Sequence, residues 1–172
     1  MFVRDLGLIA YADGLKVQET TRDAVIEGTG LETLLVCEHP KVITVGRALG
    51  SGGEVFSKDI PVFEITRGGR ATLHLPGQVV IYPIIDLRKR EKDLHGFMRT
   101  LEEGIITTLG DFRIQADRVD GKTGVWVREG SKKIASLGIA VKKWVTYHGL
   151  ALNVTCDLRA FSALSPCGFD ST

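Results

Sequence analysis

Apolar positions recur along this chain with two different periods, and the changes of period mark out its elements. Residues 2–11 read as a first strand, after which Asp13 is placed to cap a helix running through Glu27, with Leu15, Ala24 and Val25 on its apolar face. Gly28-Thr29-Gly30 predicts the end of that helix. Residues 33–37 and 42–45 are β-rich runs around Glu38-His39-Pro40, and residues 46–53 form a glycine-rich loop. Residues 61–66, 71–75 and 79–85 return to strand, with Arg67-Gly68-Gly69-Arg70 as a turn and Pro76-Gly77-Gln78 joining the last two. From Asp93 the period lengthens: Leu94, Phe97, Met98, Leu101, Ile105 and Leu109 fall on one helical stripe closed by Gly110. After Val119 three strands follow, 124–128, 133–141 and 145–154, with a hairpin turn at Glu129-Gly130-Ser131. Strands dominate both halves and helices are few, which predicts an α+β fold with a mixed sheet in place of a regular β-α-β repeat.

Composition narrows the function classes. At 172 residues, 44% hydrophobic and 25% charged, the chain suits a single domain over residues 1–172 that folds without metals or cross-links. A formal charge of +1 gives no basic field to draw nucleic acid. The three cysteines cannot all pair and residues 1–10 lack a long apolar core, so the expectation is a reduced, cytoplasmic protein without a signal peptide. The longest apolar run, residues 79–85, falls far short of the roughly 20 residues that span a bilayer, so no membrane span is expected.

Cys37 ends the run Leu34-Leu35-Val36 and reads as a small buried apolar side chain, and Cys156 has no evident task. Cys167 differs: Ser165-Pro166-Cys167-Gly168 displays a thiol in a turn that a substrate can approach closely. A thiol with its ordinary pKa of ~8.5 needs a base or a cation nearby to serve as a nucleophile. Lys133, at the start of a strand, shares a face with Ala135, Leu137, Ile139 and Val141, whereas Lys132 points to the other side. Among apolar neighbours a lysine loses affinity for its proton and can act as a general base; the alternative is a strand-end lysine whose amine reaches back to water. His39, His74, His95 and His148 show no metal-ligand spacing, so no metal is expected. His74 and His148 lie beside turns and could orient a substrate, and His95 is expected to be solvated. The basic run Arg88-Lys89-Arg90 with Lys92, and the pair Lys142-Lys143, are either solvated surface or a dock for an acidic partner.

Taken in order, Glu38-His39-Pro40, Thr44-Val45-Gly46-Arg47, Arg67-Gly68-Gly69, Ala71-Thr72-Leu73-His74, Pro76-Gly77-Gln78, Lys133-Ile134-Ala135, Ser136-Leu137-Gly138, His148-Gly149-Leu150-Ala151-Leu152-Asn153-Val154 and Pro166-Cys167-Gly168 resemble the lipoyl(octanoyl) transferase family along nearly the whole chain. The resemblance implies the fold of the biotin/lipoate protein ligase catalytic domain, a mixed, largely antiparallel sheet flanked by helices. It implies transfer of an octanoyl group from octanoyl acyl carrier protein to a lysine of lipoyl domains, those of 2-oxoacid dehydrogenases and the glycine cleavage H protein, as the first step of protein lipoylation. Cys167 then corresponds to the acyl-accepting nucleophile and Lys133 to its partner. Arg67, Gly68, Gly69, Arg70, Ala71, Thr72, Leu73, His74, Ser136, Leu137, Gly138, Gly149, Leu150 and Ala151 match segments that line the acyl site. No cofactor is implied beyond the phosphopantetheine that carries the octanoyl group. The chain departs from the family at His74-Leu75-Pro76-Gly77-Gln78, where His-Gly-Pro-Gly-Gln is common, and its end at Thr172 implies that the usual C-terminal segment is lacking. The rival readings are an ATP-dependent lipoate or biotin protein ligase, which would not need Cys167, a cysteine hydrolase, which would want a histidine base, and a silent module that binds an acyl chain or a lipoyl domain.

Overall fold

A computed structural model of the protein describes residues 1–47 and 59–161. In chain order these form β1 (Phe2–Leu8), α1 (Tyr11–Glu27), β2 (Thr33–Glu38), β3 (Val42–Val45), β4 (Val62–Glu64), β5 (Ala71–His74) and β6 (Gln78–Ile84). A short 3-10 turn at Leu87–Lys89 follows, then α2 (Leu94–Asp111), β7 (Ala116–Val119), β8 (Lys122–Val127), β9 (Lys132–Lys142) and β10 (Val145–Asn153).

The main sheet has the strand order β1-β2-β6-β10-β9-β8-β7, with β1 parallel to β2 and the remaining neighbours antiparallel. A smaller sheet, β4-β3-β5, again joins one parallel and one antiparallel pair. This is the α+β architecture with a mixed sheet that the sequence predicts, largely antiparallel as the family resemblance implies. Val80 and Tyr82 of β6 pack in one cluster with Val25 of α1, whereas Ile81 between them joins the cluster around Ile105 and Leu109 of α2. Successive strand residues face opposite ways, so the two helices cover opposite sides of the main sheet.

Several local expectations are corrected. β1 stops at Leu8, and α1 begins at Tyr11 with Ala10 as its N-cap; Asp13 lies inside the first turn, where its charge complements the helix dipole without capping. The buried stripe of α1 is Tyr11, Gly14, Gln18, Arg22 and Val25, more polar than the face expected from Leu15, Ala24 and Val25. Gly28 does end the helix, in the left-handed conformation at φ 77°. The strand expected at 61–66 shortens to β4, and β7 has no clear strand pattern in the sequence because Asp117 and Arg118 interrupt its apolar positions. α2 runs through Gly110 to Asp111, and the left-handed residue after it is Arg113 at φ 60°. The β9–β10 hairpin turns at Lys143 and Trp144, both at positive φ (49° and 65°), the geometry that Asn-Gly usually supplies. Of the glycine-rich loop at 46–53, residues 48–53 lie outside the described residues.

Candidate active site

The two sheets and the start of α1 enclose a pocket of about 40 Å³, room for about three water molecules. Its walls bring together Arg67, Thr72, His74, Ser136, Leu137, Gly138, Gly149, Leu150 and Ala151, residues from well-separated parts of the chain. The other residues expected there fall elsewhere for a simple reason. Strand β5 alternates, so Thr72 and His74 face the pocket while Ala71 and Leu73 pack with Ile43 in the core of the small sheet. Gly68 lies behind the wall, its N–H donating to Ile139 O on β9 (3.3 Å), and Gly69 turns the chain at φ 79° beside exposed Arg70. Tyr11, Ile65 and Tyr82 also line the pocket; nothing in their local pattern distinguishes them from ordinary core residues.

Arg67 is buried, and four neutral oxygens hold its guanidinium: Nη1 donates to Gly68 O (2.9 Å) and Arg70 O (2.8 Å), Nη2 to Thr44 O and Oγ1 (2.9 Å each). Gly138 makes room for it, since a Cβ there would stand 2.8 Å from Arg67 Cδ. Glycine at 149 is required for another reason: its Cβ would run into the backbone carbonyl of Ile81 on the paired strand. A positive charge without a carboxylate beside it among the described residues makes this wall electropositive. Burial pushes the Arg67 guanidinium below its ordinary affinity for a proton.

The histidines divide. His39 is fully bonded: Ile9 O can only accept, so Nδ1 carries the proton (2.7 Å), and Nε2 accepts from the Tyr82 hydroxyl (2.7 Å). His148 is equally buried, yet among the described residues both its ring nitrogens lack a partner, as do His74 Nδ1 and Gln18 Nε2. Gln18 Nε2 lies near the Tyr82 hydroxyl outside hydrogen-bond geometry, while Gln18 Oε1 accepts from the His148 N–H (2.9 Å). Burial first, and the positive charges of Arg67, Arg22 and Arg47 next, hold His148 at a pKa of about 4. Burial, then the charges of His39 and Arg67, hold His74 at about 3. Both imidazoles are therefore neutral at physiological pH. His95 is exposed on α2.

Lys133 sits on β9 three residues before Ser136, about 10 Å along the strand from the pocket wall. The pairing there is irregular: Trp126 pairs with Lys133 while Val125 pairs with Ala135, a bulge that leaves Ile134 unpaired. Lys133 as a whole is exposed, but its Nζ donates to Thr123 O (3.1 Å) and lies 4.6 Å above the Trp126 ring. Desolvation of that end, with the nearby Lys122 charge, lowers the amine's pKa, while Glu102 opposes the shift. Cys167 lies outside the described residues. Burial pushes the Cys37 thiol up to about 12 and raises that of Cys156, so neither is a ready thiolate. Of the basic groups singled out as a dock, Arg88 pairs with Asp86, Arg90 with Glu32 and Lys142 with Asp23. Among the described residues, no helix is long and apolar enough to cross a membrane.

A family model described as the lipoyl protein ligase A/B catalytic domain matches residues 10–172. Over 168 residues the chain is 47% identical to a protein of Geotalea uraniireducens (strain Rf4) named octanoyltransferase, covering 98% of this chain and 77% of the relative. It is 46% identical to the octanoyltransferase of Geobacter metallireducens, covering 98% and 78%. Among solved structures, lipoate-protein ligase A bound with ATP superposes with a TM-score of 0.67 at 20% identity, covering 95% of this chain and 71% of that one. A bi-partite lipoate protein ligase from Thermoplasma acidophilum gives 0.69 at 20% identity, covering 95% and 66%. At such identities the likeness is one of fold.

Proposed function

We propose that this chain, which belongs to the lipoyl protein ligase A/B catalytic-domain family, is an octanoyltransferase that moves an octanoyl group from acyl carrier protein to a lysine of lipoyl domains. Relatives 42–47% identical carry the name octanoyltransferase. The observation that carries the reading at the level of chemistry is Lys133: an amine with lowered proton affinity on the strand whose next turn of residues forms the pocket wall.

Lys133, as the neutral amine, takes the proton from the Cys167 thiol, and the thiolate attacks the thioester carbonyl of the carrier-bound octanoyl group. The tetrahedral intermediate collapses, the C–S bond to phosphopantetheine breaks, and the departing sulfur takes the proton back from Lys133. The amine of the target lysine then attacks the Cys167 thioester, Lys133 removes its proton, and Cys167 leaves protonated while the amide forms. A thioester is already activated, so neither ATP nor another cofactor takes part. Burial of six methylenes would contribute roughly 5 kcal/mol to holding the chain. Acceptors are the lipoyl domains of 2-oxoacid dehydrogenases and the glycine cleavage H protein, met in the cytoplasm.

The test is intact-protein mass spectrometry after mixing the protein with octanoyl acyl carrier protein and no ATP. An octanoyl mass gain is expected, absent from Cys167→Ser and slowed about 10²–10⁴-fold in Lys133→Ala. No gain without ATP in a folded sample, or undiminished acylation of Cys167→Ser, overturns the reading.

A further inference from the structure

The stripe that α2 turns to the main sheet is apolar except at Glu102, which is only 1% exposed. Its Oε2 accepts from Arg99 Nη1 (2.8 Å) and Arg118 Nε (3.3 Å), and its Oε1 accepts from the Gly124 N–H (2.9 Å). That N–H belongs to the same peptide unit as the Thr123 carbonyl, which accepts from Lys133 Nζ (3.1 Å). One peptide plane thus joins a buried carboxylate on its N–H side to the lysine amine on its C=O side. The chain is shaped to allow this. Gly124 is at φ 131°, and a Cβ there would stand 2.6 Å from Ala135 O and 3.2 Å from Lys133 Cε.

We propose that Glu102 is a positioning residue for Lys133, acting through the Thr123–Gly124 peptide. The inference rests on the proton-carrying role given to Lys133 above. A carboxylate on the N–H polarises the peptide and strengthens its carbonyl as an acceptor. With one amine hydrogen held on Thr123 O and the Trp126 ring beneath, the lone pair of the neutral amine has a fixed direction. The same carboxylate acts by charge. Glu102 favours the ammonium form, Lys122 on β8 disfavours it, and Arg99 on α2 and Arg118 on β7 temper Glu102 from its other oxygen.

The experiment follows the Lys133 side-chain resonance by heteronuclear NMR across a pH titration, assigned by its loss in Lys133→Arg, beside the pH profile of octanoyl transfer. Glu102→Gln keeps the shape and the acceptor for Gly124 but removes the charge. It is expected to lower the titration midpoint of Lys133 and to move the acid limb of the rate profile downward with it. Glu102→Leu removes the acceptor too and is expected to lower kcat about a hundredfold with KM for the octanoyl donor unchanged. Should Glu102→Leu not fold, Arg118→Gln replaces it, expected to raise the midpoint by leaving Glu102 less neutralised. An unmoved midpoint in Glu102→Gln overturns the proposal, as does a moved midpoint with an unmoved rate profile. If the unaltered protein transfers no octanoyl group while Glu102→Gln still shifts the amine, the assigned reaction fails and the coupling of Glu102 to Lys133 stands.

Discussion

The main sheet buries polar groups on both of its sides and treats them in opposite ways. On the α2 side, Glu102 has both oxygens occupied, by the Gly124 N–H and by Arg99 and Arg118. On the α1 side, His148, His74 and Gln18 keep buried nitrogens that have no partner among the described residues, at or beside the pocket. These nitrogens face a pocket with room for water, where a bound water or ligand atom can satisfy them. The contrast separates hydrogen bonding that fixes the fold from hydrogen-bonding capacity held ready for water or a ligand. The electropositive Arg67 wall lies on the ready side, and the Lys133 amine is steered from the fixed one.

The contrast is broken most forcefully on the ready side, by acid. His74 and His148 are neutral in the folded state and regain an ordinary pKa of ~6.5 when unfolded, so below that pH the unfolded chain binds more protons and stability falls. Their contribution is intact above about pH 6.5 and is lost on acidification toward about 4 and 3; melts at pH 5 should fall short of those at pH 7 by roughly 2–4 kcal/mol. On the fixed side, Glu102→Ala would leave the buried Gly124 N–H without its acceptor, while Arg99 returns to water and Arg118 keeps Glu103; it should lower unfolding free energy by about 1–3 kcal/mol in denaturant melts, with much of the loss recovered in Glu102→Gln.

Two histidine substitutions then sharpen the difference between neighbours. His39→Phe removes the acceptor of the Tyr82 hydroxyl and the donor to Ile9 O, and should cost about 2 kcal/mol at neutral pH. His148→Phe breaks no side-chain hydrogen bond among the described residues, so stability at pH 7 should change by less than about 1 kcal/mol while the acid sensitivity shrinks. Equal losses at pH 7 for the two variants would remove the distinction between a bonded and an uncommitted imidazole.

Much of this was legible in the chain. The long helix from Asp93, the β-rich runs and the Glu129-Gly130-Ser131 turn all follow from period and turn chemistry, whereas the segments at 136–138 and 149–151 were marked by the family resemblance. Tyr11 and Tyr82 could not be read as pocket residues, because their roles depend on which sheet face α1 covers. Glu102 could not be read either, since a glutamate on a helix is ordinarily solvated and its partners come from residues 99, 118 and 124.

The sequence by itself determined most of the elements and the mixed α+β class, because hydrophobic period and turn chemistry are local properties. Tertiary structure alone decided that Lys133 sits beyond a bulge with its amine on Thr123 O, that Arg67 is buried against Gly138, and that His39 is satisfied while His148 is not. Those outcomes depend on distances between segments far apart in the chain, set by strand register and by which side of the sheet each helix packs on.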